Sequence, residues 1–222
     1  MNKALKTVVA IPLLIGAGLI LYMAVWAVQY RRAAEPLQVL DLRAQATDKP
    51  YYVILCAALA DNPIGFPGHC YVAWSEREPK DILALDSAGF VPMHLHDQVP
   101  SLWSNVQGTM VDHAAIGNTR NLNALVVIVD ADRYRSSRKL SERWRHRQFQ
   151  TGVSDCVAYV DDIAKELAVK TPPRSHKFPQ DYLRDLKAIN QTQSWESIAY
   201  HGFLDRNRLM RHGAATASTY PR

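Results

Sequence analysis

A cysteine and a histidine stand where a thiol-based active site would need them. Cys156 follows a glycine-containing turn in TGVSDCVAYV, at a predicted helix start, and His69 begins the apolar run HCYVAWS. A thiol at a helix N-terminus has a lowered pKa, because the helix dipole and free N–H groups stabilise the thiolate. The sequence therefore predicts Cys156 as nucleophile, His69 as general base, and N–H groups near Cys156, its own included, as oxyanion donors.

These two residues also have a simpler interpretation. Cys156 recurs with Val160, Ile163 and Leu167 on one face of an amphipathic helix, where a buried structural cysteine is common. A single histidine at a strand start is most often an ordinary hydrogen-bonded side chain. The pair in its context, Gly-His before a strand and Asp-Cys before a helix, favours the catalytic interpretation.

The elements that must position this pair follow from apolar patterning. Continuous apolar runs bounded by turn residues are typical of buried strands, and a spacing of three and four is typical of helices. The pattern predicts strands over 51–59, 69–75, 82–86 and 124–130, and helices over 132–150, from Ser154 and from Pro179. Either Ser154 or Asp155 is expected to cap the second helix. Strands followed by helices predict an α+β domain.

The segments GHCYVAW and SDCVAYV resemble the papain-like cysteine hydrolases of the NlpC type. The histidine precedes the cysteine, which is similar to the circularly permuted branch of lecithin:retinol acyltransferase-like proteins and permuted amidases. The resemblance implies an antiparallel papain-like sheet packed with helices, with Cys156 as nucleophile and His69 as base. It also implies a third, orienting residue on the next strand, where Asp86 or Ser87 is nearest. The family's substrates are amides of cell-wall peptides or acyl groups of lipids.

Other candidate sites carry less weight. Because side chains alternate along a strand, Cys70 is expected to face away from His69, and Cys56 is expected to lie in the core. His94 and His96 share one face of an extended segment, and Asp97, Asp112 and His113 would complete a metal site. No metalloenzyme spacing accompanies them, so we expect neither a metal nor another cofactor.

The charge distribution points to one basic segment. The net charge is only +5, and no nucleic-acid-binding motif is present, so nucleic acid is not an expected partner. The basic residues of the segment are Arg133, Arg135, Arg138, Lys139, Arg143, Arg145 and Arg147. They are interpreted either as a solvated helix face or as a contact with an anionic surface.

The N-terminal region predicts a membrane anchor. Residues 7–30 lack a formal charge and are long enough for a bilayer core of about 30 Å. The expected organisation is a tail and transmembrane signal anchor at 1–32, a linker at 33–49, the papain-like domain at 50–212 and a mobile tail at 213–222. The expected location is the bacterial inner membrane, as a single-pass protein with a periplasmic domain.

Two functions follow from these observations. The first is a membrane-anchored cysteine hydrolase or acyltransferase that cleaves an amide or ester of a cell-wall peptide or lipid. The second is a non-catalytic, membrane-tethered interaction module that keeps the fold and binds partners or anionic surfaces through its basic helix. Reactivity of the Cys156 thiol below pH 7 distinguishes the two functions.

Overall fold

The fold is taken from a computed structural model, which describes residues 16–25, 27–28, 37–45, 48–59, 68–79, 85–112, 121–174, 177–190 and 192–194. The strands are β1 (Gln38–Asp41), β2 (Tyr51–Leu59), β3 (His69–Ser75), β4 (Asp86–Pro92), β5 (Val106–Val111), β6 (Asn121–Val129), β7 (Gln148–Phe149) and β8 (Gln193–Ser194). The helices are α1 (residues 16–25), α2 (Ala131–Trp144), α3 (Cys156–Glu166) and α4 (Pro179–Ile189). Two short 3₁₀ helices, Leu95–Asp97 and Pro100–Leu102, lie between β4 and β5.

The strands form one mixed sheet in the order β7-β5-β4-β3-β2-β6-β1-β8. The neighbours are antiparallel except for β1 and β6, which run parallel with Gln38 opposite Leu125. The expected purely antiparallel sheet is therefore corrected to a mixed one. β1 lies on the side of β6 away from β2 and runs in the same direction as β6. Residues 38–41, expected to be linker, thus belong to the sheet.

Three helices cover one face of the sheet. Apolar side chains of β2, β3 and β6 on this face pack with Trp144 of α2, Val160 and Ile163 of α3, and Leu186 of α4. The opposite face carries a second apolar cluster, which includes Ile54, Cys56, Ala73 and Val126. Both faces of the central strands are buried, which explains why their sequences are continuous apolar runs.

The structure contradicts the predicted membrane anchor and the fold class that included it. In the part of the chain that is described, no helix is both long and apolar enough to cross a membrane. The single-pass inner-membrane location inferred from the anchor is contradicted with it. Residues 1–15, and the tail expected at 213–222, lie outside the described residues.

Several boundaries differ from the sequence pattern for local reasons. The strand after β3 is Asp86–Pro92 and not 82–86, and residues 80–84 lie outside the described part. Helix α2 ends at Trp144 because the chain then turns into β7, which pairs with β5 through Phe149 opposite Val106. These differences matter for the candidate site, because they decide which end of β4 lies beside His69.

Candidate active site

Cys156 is the first residue of α3 and is partly exposed. Its helix is capped by Asp155, whose carboxylate accepts hydrogen bonds from the N–H groups of Val157 and Ala158, each at 3.0 Å. The same carboxylate accepts the N–H of Gly152 at 2.6 Å, in a turn where Gly152 has a φ of 77°. Glycine suits this left-handed conformation, so the turn and cap together hold the thiol at the helix N-terminus.

The cap changes the expected set of oxyanion donors. The N–H groups of Val157 and Ala158 already donate to Asp155, so they do not point freely at a substrate. The N–H of Cys156 makes no hydrogen bond with any described residue. The oxyanion donor that the described part of α3 offers is therefore the N–H of Cys156 itself.

The surroundings of Cys156 favour its thiolate. They lower its pKa to about 5, chiefly through a hydrogen bond from the Cys70 thiol and secondly through the charge and hydrogen bond of His69. Burial and the negative charge of Asp155 oppose the shift but do not cancel it. These surroundings therefore favour the thiolate, which is the nucleophilic form of a cysteine.

His69 and Cys70 both approach this sulfur from the start of β3. His69 is the first residue of the strand, follows Gly68 with a φ of 88°, and has a buried Nε2 atom. Cys70 is fully buried on the face that α3 covers, and its Sγ atom lies 3.9 Å from the carbonyl oxygen of Pro179. The structure thus brings together the predicted Cys156 and His69, whose catalytic roles stay predictions.

Cys70 was set aside in the sequence analysis because it was expected to face away from His69. The structure places Cys70 on the face of the sheet that α3 covers. Cys70 also contributes to the lowered pKa of Cys156, which the sequence analysis did not anticipate.

Asp86 does not lie beside His69. In the register of β3 and β4, Asp86 is opposite Trp74, five residues along the strand from His69. At about 3.3 Å per residue the two positions are roughly 17 Å apart. The Asp86 carboxylate pairs instead with the guanidinium of Arg138 on α2. Ser87, the other candidate, donates a hydrogen bond to Asp112 at 2.7 Å.

A second residue that the sequence did not indicate is Arg174. Its guanidinium donates to Asp155 at 2.8 Å and to the carbonyl oxygen of Val153. The positive charge offsets that of Asp155, which by itself would raise the pKa of Cys156. No local pattern marks this arginine, because it reaches the cap from the segment after α3.

The third cysteine, Cys56, differs from Cys156 in the pKa of its thiol. Cys56 is fully buried on the opposite face of the sheet, and burial raises the pKa of its thiol. Cys70 also has a raised pKa, first because it is buried and then because it donates to Cys156. Of the three thiols, Cys156 is the one that the structure favours as a thiolate.

The alternative metal site does not assemble among the described residues. The rings of His94 and His96 stack at 5.2 Å, and His96 lies 3.5 Å from Asp97. Asp112 is bonded to Ser87, and no three His, Cys, Asp or Glu side chains of the described ranges are grouped to hold a metal. His113 lies outside those ranges.

The basic helix α2 is largely neutralised by its own neighbours. Five of its seven expected basic side chains, counted with the turn after it, contact a carboxylate: Arg133 with Asp130, Arg135 with Asp132, Arg138 with Asp86, Arg145 with Glu142 and Arg147 with Asp162. These pairs reduce the charge available to an anionic surface. Contact with such a surface stays a prediction.

No protein family, curated protein or solved structure matches this chain. The resemblance to the permuted NlpC-type hydrolases therefore rests on GHCYVAW and SDCVAYV alone and stays a prediction. The chemistry of the site must be argued from its own geometry.

Proposed function

We propose that the protein is a cysteine-dependent hydrolase or acyltransferase acting on an amide or ester. The observation that carries the proposal is the place of Cys156, partly exposed at the N-terminus of α3, where the charge and hydrogen bonding of His69 help to lower the pKa of its thiol. A partly exposed thiolate with a histidine beside it is the arrangement that covalent acyl transfer requires. A structural cysteine on the same helix would instead have a pKa raised by burial, as Cys56 has.

The chemistry follows from these groups. The Cys156 thiolate attacks the carbonyl carbon, a C–S bond forms, and the negative charge moves to oxygen, where the Cys156 N–H donates to it. On collapse the C–N or C–O bond breaks, and the protonated His69 gives its proton to the leaving amine or alcohol. Neutral His69 then takes a proton from water or a second acceptor, whose oxygen displaces the sulfur. The acid or acyl product leaves, and the thiolate is restored.

Exposed apolar side chains on two linked segments support a substrate with an apolar acyl part. The loop between β4 and β5 exposes Leu95 (80%) and Trp103 (68%), and the turn before Cys156 exposes Val153 (56%). Ser101 joins the two segments, because its carbonyl accepts the N–H of Thr151 at 3.0 Å and the two hydroxyls lie 2.9 Å apart. The loop that carries Trp103 is therefore bonded to the turn that leads into Cys156.

The test uses nitrophenyl esters with short and long acyl chains and the full chain. Cys156→Ala and His69→Ala are expected to lose at least about 100-fold in kcat/KM, because each removes a group that acts on the reacting atoms. Cys56→Ala is the matched control and is expected to keep activity, because its thiol lies on the other face. Full activity in Cys156→Ala overturns the proposal.

A separate variant tests whether the substrate has an apolar acyl part. Trp103→Ser is expected to raise KM for the long-chain ester several-fold and to leave the short-chain ester unchanged, because it removes apolar contact and not chemistry. An equal effect on both esters contradicts the acyl-binding role of the loop. An inert Cys156 in the folded protein would instead favour a non-catalytic interaction module.

A further inference from the structure

A buried carboxylate lies next to the candidate nucleophile. Asp155 immediately precedes Cys156 in the chain, and the Cα atoms of consecutive residues are about 3.8 Å apart. The side chain of Asp155 is 12% exposed, so solvent screens its charge only weakly. This carboxylate has a structural task, because it accepts the N–H groups that begin α3 and the N–H of Gly152. A negative charge in this place opposes a thiolate at the next residue.

The guanidinium of Arg174 contacts both the carboxylate and the turn that carries it. Its Nη2 atom donates to Oδ1 of Asp155 at 2.8 Å, and its Nη1 atom donates to the carbonyl oxygen of Val153. Among the described residues, Arg174 is the one cation within ion-pair distance of Asp155. Only 25% of the arginine side chain is exposed, so this pair is screened less than the exposed pairs of α2.

The segment that brings Arg174 to this turn is held by contacts of its own. It leaves α3 through Ala168, whose φ of 62° ends the helix in a left-handed turn. The side chain of Asn190, after α4, then accepts the N–H of Lys170 at 3.0 Å and donates to its carbonyl oxygen at 2.7 Å. Pro172 and Pro173 stiffen the chain directly before the arginine. The backbone is therefore already ordered where the ion pair forms, which reduces the entropy that the pair must overcome.

We propose that Arg174 is a positioning residue for the candidate nucleophile: it neutralises the Asp155 carboxylate, which can then cap α3 without opposing a thiolate at Cys156. The helix start needs a strong acceptor, whereas the sulfur needs the absence of a net negative charge beside it. The ion pair meets both requirements. The inference rests on the proposed function only for its purpose, because the thiolate is measured without any substrate.

The other titratable groups around the thiol and the ion pair stay the same in the experiment. His69 and Cys70 face the sulfur of Cys156 from β3. Tyr182 of α4 lies near Cys70 and near the arginine, and it donates to Asp161 at 2.8 Å. Burial raises the pKa of both Cys70 and Tyr182 well above the usual range, so these two groups stay neutral throughout.

The test is the pH dependence of iodoacetamide alkylation of Cys156 in the full chain under reducing conditions, with the modified residue located by mass spectrometry. Arg174→Gln removes the charge but keeps a hydrogen-bond donor, and Arg174→Lys keeps the charge. Arg174→Met also removes the charge and keeps a long side chain, in case the glutamine variant unfolds. The double variant Asp155→Asn with Arg174→Gln removes both charges and keeps an acceptor oxygen for the cap. Arg138→Gln is the matched control, because Arg138 pairs with Asp86 at the other end of β3.

Neutralisation of the carboxylate gives a distinct pattern. Arg174→Gln and Arg174→Met are expected to raise the midpoint of the profile by about 0.5–1 pH unit, which slows alkylation below the midpoint by about threefold to tenfold. Arg174→Lys and Arg138→Gln are expected to follow the parent protein. The double variant is expected to return to the parent midpoint, because the opposing negative charge is gone. Urea unfolding of each variant confirms that it is folded.

Unchanged midpoints in Arg174→Gln and Arg174→Met overturn the proposal. A double variant whose midpoint stays as high as that of Arg174→Gln also overturns it, because the effect would then come from the shape of the turn and not from charge. A lysine variant that behaves like glutamine has the same consequence. If the expected pattern is found but the parent protein hydrolyses no ester, the proposed function alone fails.

Discussion

The two ends of β3 use polar groups in different ways. At its beginning, Cys70 and His69 lower the pKa of the Cys156 thiol. At its other end, Trp74 donates to Ser137 at 3.0 Å, and the guanidinium of Arg138 lies over the Trp74 ring while it pairs with Asp86. The first end concentrates reactive groups on one sulfur, whereas the second end distributes its polar groups into mutually satisfied pairs.

This difference explains why Asp86, although it lies on the strand next to the one that carries His69, does not complete a catalytic triad. Asp86, like Trp74 and Arg138, lines a cleft of about 280 Å³ between the sheet and α2. The partner of Asp86 is the guanidinium of Arg138, which stabilises the negative charge of the carboxylate. This pairing gives Asp86 no role in proton transfer. At the reactive end, the buried carboxylate is Asp155, which caps a helix and is held by Arg174. Both carboxylates are therefore structural.

The largest expected effect is a difference in thiol reactivity. At pH 6 iodoacetamide should modify Cys156 at least about 100-fold faster than Cys56, because the first thiol is ionised and the second is held neutral by burial. Mass spectrometry of partly labelled protein measures both rates. In denaturant the rates should become similar. Equal slow labelling in the folded protein would show that the surroundings of Cys156 do not activate its thiol.

The ionised thiol should also make stability depend on pH. The pKa of Cys156 is about 5 in the folded protein, and that of an ordinary thiol in the unfolded chain is about 8.5. The unfolded chain binds more protons between these values, so stability due to this group is complete above about 8.5 and is lost as the pH falls through about 5.

Urea unfolding of the parent protein and Cys156→Ser from pH 5 to pH 9 measures this contribution. The ratio of their folding constants is expected to rise with pH, by at most about tenfold per pH unit for a single proton. A constant ratio over this range would show that the folded and unfolded thiols have the same pKa.

Removal of the Asp155 cap at the start of α3 is expected to have a smaller effect than the two predictions above. Asp155→Ala loses the acceptor for Val157, Ala158 and Gly152 and the ion pair with Arg174, so we expect a loss of about 2 kcal/mol in the free energy of unfolding. Asp155→Asn keeps an acceptor oxygen and should lose clearly less. Urea titrations compare the two, and equal losses would mean that the charge and not the cap stabilises α3.

The smallest effect is expected at the Trp74 end of β3. Asp86→Asn weakens an exposed pair with Arg138, for which a cost below about 1 kcal/mol is usual. Because Asp86 lies opposite Trp74, the alkylation profile of Cys156 should not move. A raised midpoint in this variant would restore the predicted link between Asp86 and His69, and Asp132→Asn, another exposed pair on α2, is its control.

Local pattern predicted the elements that carry the reactive pair. β2 and β3 begin and end where the apolar runs over 51–59 and 69–75 do, because strands buried on both faces need no polar alternation. Asp155, one of the two caps expected for α3 beside Ser154, is the cap in the structure, since its short carboxylate reaches the N–H groups of Val157 and Ala158. The predicted membrane anchor was wrong, because no helix among the described residues is both long and apolar enough to cross a membrane.

What the sequence determined by itself is therefore the chemistry available: a cysteine at a helix start, a histidine at a strand start and the elements that hold them. Only the tertiary structure decided which groups meet. The register of β3 and β4 moved Asp86 to the far end of β3, and the packing of α3 on β3 brought Cys156 to the strand that begins with His69. These outcomes depend on strand pairing and helix packing between distant segments, which local propensity does not encode.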